Sequence, residues 1–255
     1  MADGPGVCPP RCPRVAALHL EADTPSRWGA SPCARLVFVD HGFLRLELAD
    51  ALWCVPPQCA VWVLPNARYR LWDGGALSAW TLTLPERSAI QPVESGTVPG
   101  TPLLRELLDT AAGFGAEPWP GSPGDHLLQV LLELLPLAPL RALHLPLPAT
   151  GPLAQLAETS LRDPLDDQIL AGWMRHHAVL ESDALPAFQA ATGLTFDAWR
   201  RRLRLFDAIA KLAGGADLAQ TAVSASDCDA AEIGAAWHAL RDGRASAWAS
   251  IRRSS

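Results

Sequence analysis

Four arginines in one short stretch are the side chains of this sequence best suited to contact phosphate. They are Arg200, Arg201, Arg202 and Arg204. Apolar residues recur around them at helical spacing, which predicts a long amphipathic helix that begins near Thr195 and ends at the glycines 214 and 215. Guanidinium groups on such a helix bind phosphate oxygens by charge and hydrogen bonding. The pattern indicates nucleic-acid contact, with a solvated helix face as the alternative.

Cysteine and histidine give weaker signals. Six cysteines in 255 residues are too few for a disulfide framework. Cys54 and Cys59 flank a Pro-Pro turn, where small buried thiols are the expected role and a reactive thiol is the alternative. His176 and His177 have no third ligand at zinc spacing. Neither a nucleophile elbow nor a phosphate loop occurs, so we expect no enzyme activity, no metal and no cofactor.

The charge balance argues against tight DNA binding. The formal net charge is −6, and residues 155–255 contain 11 basic and 13 acidic side chains. Because DNA affinity comes largely from Lys and Arg displacing counterions, an acidic helical half lowers the expected affinity unless the positive charges are clustered.

Targeting signals are not apparent. Prolines and charges interrupt even the Leu-rich stretch 127–147, so no apolar run reaches the roughly 20 residues that span a bilayer. The first 13 residues lack the basic start and apolar block of a secretory signal. We therefore expect a cytoplasmic protein without a membrane partner.

The first part of the chain is predicted to form a β-sandwich or barrel. Short apolar segments separated by turn residues predict strands over 36–39, 43–48, 52–55, 60–64, 69–72 and 79–84. Leucine stripes predict two helices after them, over 102–112 and 125–135.

The remainder is predicted to be helical. A Pro-rich connector, 145–152, marks the expected boundary between domains 1–150 and 155–255. Asp163-Pro164 predicts a helix start, with the helix running to about His177. A shorter helix is expected over 183–191, and capping spacing at Asp217 and Asp229 predicts two more helices after the arginine helix.

Three motifs carry a resemblance to a known family. The stretch WCVPPQCAVWVLP (53–65) resembles the small cupin barrel of one subgroup of AraC-type transcription regulators. PLLREL (102–107) is similar to the next helix of that subgroup, and TGLTFDAWRRRLRL (192–205) to the helix joining its two helix-turn-helix units. The resemblance implies an α+β protein: a small cupin-like β-barrel with dimerisation helices, then an all-α domain of two helix-turn-helix units joined by a long helix.

The resemblance also implies partners and sites. It implies a homodimer that binds promoter DNA and a small-molecule effector. We expect the effector pocket in the barrel, lined by Cys54, Cys59, Trp62 and Arg70, and DNA contact by His238 in addition to the four arginines.

Several positions depart from the family pattern. Gly29, Ser31 and Arg70 stand where metal-binding relatives have histidines, and arginine does not deprotonate to become a ligand. At the first recognition helix, Leu180 replaces a capping serine, and Ser182 and Pro186 replace arginines. Pro186 would break a helix begun at Leu180, so we expect the start to move to Asp183. Acidic residues near Asp229 crowd the second recognition helix and repel DNA.

These features leave several hypotheses. The leading one is a DNA-binding transcriptional regulator that responds to an effector and has weak direct base readout. The alternative is a regulator-derived interaction or sequestering protein that has lost sequence-specific DNA binding. A third is a metal or redox sensor based on the thiols of Cys54, Cys59 or the N-terminal cysteines.

Overall fold

The computed structural model describes residues 13–18, 20, 26–73, 77–86, 88, 90–114, 121–137, 143–224 and 230–241. Its strands are β1 (Arg14–Leu18), β2 (Arg35–His41), β3 (Leu44–Leu48), β4 (Ala51–Val55), β5 (Cys59–Val63), β6 (Tyr69–Asp73), β7 (Ser78–Thr83), β8 (Gly96–Pro99) and β9 (His144–Pro146). Its helices are α1 (Pro102–Gly113), α2 (Pro123–Glu133), α3 (Pro152–Arg162), α4 (Ile169–His177), α5 (Glu181–Thr192), α6 (Phe196–Ala213), α7 (Leu218–Ser224) and α8 (Ala230–Arg241).

The strands form two antiparallel sheets. One has the order β1-β7-β2-β5-β8 and the other β6-β3-β4-β9. The six predicted strands are confirmed as β2 to β7. The expected α+β class is confirmed as well, with a β-rich first part and a helical second part.

Side-chain alternation divides the apolar residues of the sheets among three packed clusters. The inward side chains of both sheets meet in the barrel interior, which is filled by Val37, Val39, Leu44, Leu46, Trp53, Val55, Val61, Val63 and their neighbours. The outer face of the five-stranded sheet is covered by α1 and α2. The outer face of the four-stranded sheet is covered by the helical half.

The barrel and the helical half share this last cluster. Leu52 and Leu145 from the sheet lie in the same core as Phe188, Trp199 and Leu203 from the helices. The Pro-rich connector therefore contributes β9, which pairs with β4 before α3 begins. The expected domain boundary near residue 150 falls just after a strand that packs against α6.

Two predicted helix starts are corrected. Asp163 does not open α4. It is the C-cap of α3, where its amide donates to the Thr159 carbonyl, and α4 begins only at Ile169. In the first recognition helix, α5 begins at Glu181 and keeps Pro186 inside it. Proline is tolerated there because its ring lies on the exposed side of the helix and removes a single backbone hydrogen bond.

Other helix predictions are confirmed. The Thr195 hydroxyl accepts from the Ala198 amide at the start of α6, and Gly214 ends that helix. The Asp217 carboxylate accepts from the amides of Ala219 and Gln220 at the start of α7. Asp229 lies outside the described residues. The helices α3 to α5, the long α6, and α7 with α8 follow the expected order of two helix-turn-helix units joined by a long helix.

Candidate effector cavity and nucleic-acid interface

A cavity of about 330 Å³ lies between the barrel and α3. Barrel residues from β3, β6 and their flanking turns form one wall. The connector and α3 form the opposite wall, through Leu147, Pro148, Ala149, Ala154, Ala157, Glu158 and Leu161. Since α3 is the first helix after the connector, one wall of the cavity belongs to the barrel and the other to the helical half.

Arg70 is the central polar side chain of the barrel wall. Its Nε and Nη2 donate to the two carboxylate oxygens of Glu47 over 2.6 and 2.9 Å. The indole nitrogen of Trp72 donates to the same carboxylate over 3.0 Å. This fork-to-fork geometry is the strongest form of an arginine–carboxylate pair, and it fixes the guanidinium in place.

Trp28 brings a second arginine to the cavity. The guanidinium carbon of Arg70 lies 5.0 Å from the ring centroid of Trp28, and that of Arg68 lies 5.7 Å away. Arg70 also lies 4.8 Å from the ring of Trp72. Contacts at these distances are cation–π interactions, so the aromatic rings hold both cations at the barrel wall.

The α3 wall contributes an opposing carboxylate. Glu158 Oε1 lies 3.8 Å from Arg70 Nη2 and 2.9 Å from Arg162 Nη2, one helical turn further along α3. The longer contact is a weak ion pair between barrel and helix, and the shorter one lies within the helix. Glu158 therefore interacts with one arginine of the barrel and one arginine of α3.

The residues predicted to line the effector pocket do not come together. Arg70 lines the cavity, whereas Cys54 lies in the core shared with the helices and Cys59 in the barrel interior. Trp62 lies beneath α1 and α2, where its indole nitrogen donates to the Pro136 carbonyl over 2.8 Å. The expected grouping is corrected because neighbouring strand residues face opposite sides of a sheet.

The two strand cysteines are shielded from solvent. Burial raises the pKa of the Cys54 thiol well above its usual range and that of Cys59 to about 12. A thiol with a raised pKa carries little thiolate at neutral pH and reacts slowly. Packing is the role that this geometry supports for both side chains, and the N-terminal cysteines of the thiol-sensor hypothesis lie outside the described residues.

The positions compared with metal-binding relatives are occupied in other ways. Gly29 forms an isolated β-bridge with Tyr69, the Ser31 hydroxyl accepts from the Cys33 amide, and Arg70 pairs with Glu47. Within the described ranges, no three His, Cys, Asp or Glu side chains are grouped as a metal site would require.

Two of the arginines predicted to contact phosphate are paired with a carboxylate of the same chain. Asp167, in the turn between α3 and α4, accepts from Arg200 over 2.5 Å and from Arg204 over 2.6 Å. Arg204 is only 1% exposed, and its Nε donates to the Pro164 carbonyl. The expectation for Arg204 is therefore corrected: its guanidinium holds α6 against the α3–α4 turn, away from any surface.

The other two arginines of the cluster are half-buried. Nη1 of Arg202 donates to the His144 carbonyl over 3.3 Å, and burial lowers the pKa of that guanidinium. Arg201 is also only partly exposed. Helical spacing correctly predicts the helix, but much of its positive charge faces the protein.

The outer face of the first recognition helix carries no cation. Lys, Arg and His do not occur between Glu181 and Thr192, and Glu181, Ser182 and Asp183 are exposed in the first turn. Leu180, at the N-cap, is 70% exposed and provides no side-chain cap. Ala184, Phe188 and Thr192 bury the opposite face. The inward face is that of a helix-turn-helix unit, whereas the outward face would meet phosphate with negative charge.

The second recognition helix retains one candidate. Ile233 is fully buried in the core of the helical half, which orients α8, and His238 is exposed. Residues 225–229, where acidic side chains were expected to crowd the helix start, lie outside the described residues. His238 therefore stays a predicted DNA contact.

The sequence comparison gives a relative of known class. This chain is similar to an HTH-type transcriptional regulator, which agrees with the resemblance that its motifs carry. The HTH-type transcriptional regulator NimR of Escherichia coli strain K12 is 28% identical over 181 residues, which cover 71% of this chain. The match covers 66% of NimR, slightly less than two thirds of its length. No protein-family model matches the sequence.

Solved structures give weaker likenesses. ToxT from Vibrio cholerae, in its P21 form, has a TM-score of 0.36 at 8% identity, with 90% of this chain and 95% of that chain covered. Fatty-acid-bound ToxT gives 0.33 at 9% identity, with 89% and 90% covered. The AraC-like transcriptional activator CuxR gives 0.28 at 12% identity, with 71% and 69% covered. Likenesses at this level establish no detail of the site.

Two further findings bear on the class. NimR is a transcriptional regulator, the class of protein that the motifs of this chain resemble. No helix within the described residues is both long and apolar enough to cross a membrane.

Proposed function

We propose that the protein regulates transcription by binding promoter DNA through its helical half, and that a small molecule in the cavity between barrel and α3 controls this binding. One observation carries the proposal: the cavity is bounded by the barrel on one side and by the first helix of a helix-turn-helix unit on the other. A ligand that fits the cavity at only one distance between barrel and α3 stabilises the position of the helix-turn-helix unit that gives this distance.

DNA contact is proposed for a reduced set of side chains. Arg200 is 17% exposed, and Arg201 and Arg202 are half-buried. Only the exposed part of each side chain is therefore available to contact DNA. His238 is exposed on α8. With few cations and an acidic first recognition helix, binding depends on phosphate contact and is strongly weakened by salt.

A homodimer is proposed through α1 and α2. The outer faces of these helices expose Leu103, Phe114, Val130 and Leu134, although both helices bury their opposite faces against the five-stranded sheet. Large apolar side chains concentrated on one exposed face favour association with another protein surface.

A second candidate function is an interaction or sequestering protein that has lost sequence-specific DNA binding. It is favoured by the absence of any basic residue on α5 and by the internal use of Arg204. In this case the helical fold persists because its core is intact, while its outer face binds a protein partner.

Fluorescence anisotropy with the labelled promoter region of the protein's own gene, at low and physiological salt, separates the two candidates. We expect micromolar or tighter binding at low salt, weakened by Arg201→Gln and His238→Ala but unaffected by Arg27→Gln on the barrel surface. An unchanged signal at micromolar protein, together with co-purification of a DNA-binding homologue, would favour the second candidate.

A further inference from the structure

We infer that the cavity binds a small molecule with a carboxylate and an apolar body, and that this carboxylate displaces Glu158 from Arg70. The inference rests on the proposed function, because it assumes that the cavity is the effector site. It adds the chemical class of the effector and the contact that the effector breaks.

Arg70 has one strong carboxylate partner and one weak one. Glu47, from its own sheet, makes two hydrogen bonds to it, whereas Glu158 from α3 approaches Nη2 only to 3.8 Å. A ligand carboxylate within hydrogen-bonding distance of Nη2 forms a stronger contact than Glu158 does, since charge-assisted hydrogen bonds require about 2.7–2.9 Å. Arg70 thus has a position that an incoming anion can take.

Glu158 retains a partner when it is displaced. Its Oε1 already lies 2.9 Å from Arg162 on the same helix, and the side chain is 44% exposed. Its release leaves no buried unpaired charge, so displacement is not opposed by a large desolvation cost.

Arg68 supplies the second positive charge for the ligand. Its guanidinium lies against Trp28, and no acidic side chain among the described residues forms an ion pair with it. Arg68 and Arg70 both contact the Trp28 ring and both line the cavity, so one anionic group in the cavity can interact with both. Guanidinium groups match the planar geometry of a carboxylate.

The rest of the lining selects the body of the ligand. Leu48, Leu147, Pro148, Ala154, Ala157 and Leu161 are apolar, and the volume of about 330 Å³ lies at the small end of the range for ligand pockets. A compact aromatic or short aliphatic body fits these walls. Binding forms and breaks no covalent bond. The ligand carboxylate replaces Glu158 beside Arg70, which removes the ion pair between barrel and α3.

The inference is tested with the full-length protein and two matched probe pairs, benzoate with benzamide and octanoate with octanamide. Binding is measured by ligand-observed NMR titration, and folding of each variant by circular dichroism. We expect each acid to bind more tightly than its amide. Glu158→Gln, which removes the competing charge, should strengthen acid binding about two- to fivefold. Arg68→Gln should weaken it about tenfold. Glu133→Gln on α2 and Arg175→Gln on α4 are the controls.

The outcomes separate this inference from the proposed function. Equal affinity for acid and amide would overturn the carboxylate class while leaving the cavity as a ligand site. Unchanged acid affinity in Glu158→Gln would overturn the displacement, and no binding by any variant would overturn both parts. Promoter binding, measured without these probes, tests the regulatory function independently.

Discussion

The indole nitrogen of Trp199 donates a hydrogen bond of 2.7 Å to the carbonyl oxygen of Pro146. Trp199 is fully buried on α6, and Pro146 ends β9, which is hydrogen-bonded to the barrel. A second link joins the same parts, since Arg45 of β3 and Asp207 of α6 form an ion pair of 3.1 Å. The long helix is therefore attached directly to the barrel.

Replacing this tryptophan should destabilise the whole chain. Trp199→Phe leaves the Pro146 carbonyl without its donor and reduces packing, which should lower the free energy of unfolding by about 1–3 kcal/mol. Urea denaturation followed by far-UV circular dichroism measures the change, and Trp28→Phe at the cavity is the control. We expect one cooperative transition in the wild type; separate transitions for barrel and helices would contradict the shared core.

Asp167 should be needed for stability in a way that its neighbour is not. Asp167→Asn removes the negative charge between Arg200 and the buried Arg204 and should lower the melting temperature. Asp166→Asn is the matched control, because within the described residues the Asp166 side chain accepts one hydrogen bond, from the Gln168 backbone amide. Thermal melts at neutral pH compare the two variants, and equal melting temperatures would show that Asp167 is not required to hold the arginines.

Acid should weaken the attachment of α1 to the barrel. Burial alone would raise the pKa of Asp40, but hydrogen bonds from Arg105 of α1 and from Gln58 outweigh it and lower the pKa. The stabilisation is therefore present above the unfolded pKa of about 3.9 and is lost as the pH falls through the lower folded value. Unfolding free energies between pH 3 and 7 should fall less steeply in Asp40→Asn than in the wild type or in Asp109→Asn, an exposed control on α1. Parallel curves for all three would contradict this assignment.

Gly100 should not tolerate a side chain. A Cβ there would lie 2.5 Å from the Gln58 carbonyl oxygen and 2.6 Å from the Phe38 ring. Gly100→Ala should lower the melting temperature by several degrees, because backbone or core must shift. Gly113→Ala, at the end of α1, has open space around the new methyl group and should be neutral or stabilising. Similar melting temperatures for the two variants would contradict the close approach.

Reversing one charge on α5 should reveal whether this helix faces DNA. Asp183→Lys places a cation in the exposed first turn, and one added phosphate contact steepens the logarithmic salt dependence of binding by about 0.9. Anisotropy titrations at several salt concentrations measure the slope, and Glu133→Lys on α2 controls for net charge. An equal response of the two variants would show that α5 does not approach the duplex.

Much of the fold follows from local sequence signals. Apolar segments bounded by turn residues predict β2 to β7, and helical spacing with the Thr195 cap predicts α6. The missed strands β8 and β9 have only four and three residues and each ends in proline, whereas β1 has five residues; all three depend on pairing with distant strands. The missed helix α3 follows the Pro-rich connector and has no side-chain cap at its start.

The site depends on contacts that local patterns do not encode. The spacing of Arg200 and Arg204 places both on one side of α6, but it does not show whether that side faces phosphate or a carboxylate of the same chain. Asp167, which binds both, is 33 residues before Arg200 in the chain. Glu158 and Arg70 are likewise brought together only by the packing of α3 on the barrel. Arg68 and Arg70 are two residues apart, just before and at the start of β6, and both line the cavity.

The filled interior of the barrel has an evolutionary consequence. A regulator that held its inducer in the middle of its β-structure would have to preserve folding and recognition with the same side chains. Here, on the proposed placement, the two demands fall on different residues. Descendants of this protein could come to respond to a different small molecule through a few substitutions in the cavity between barrel and α3, without changes to the barrel interior that keeps the fold stable.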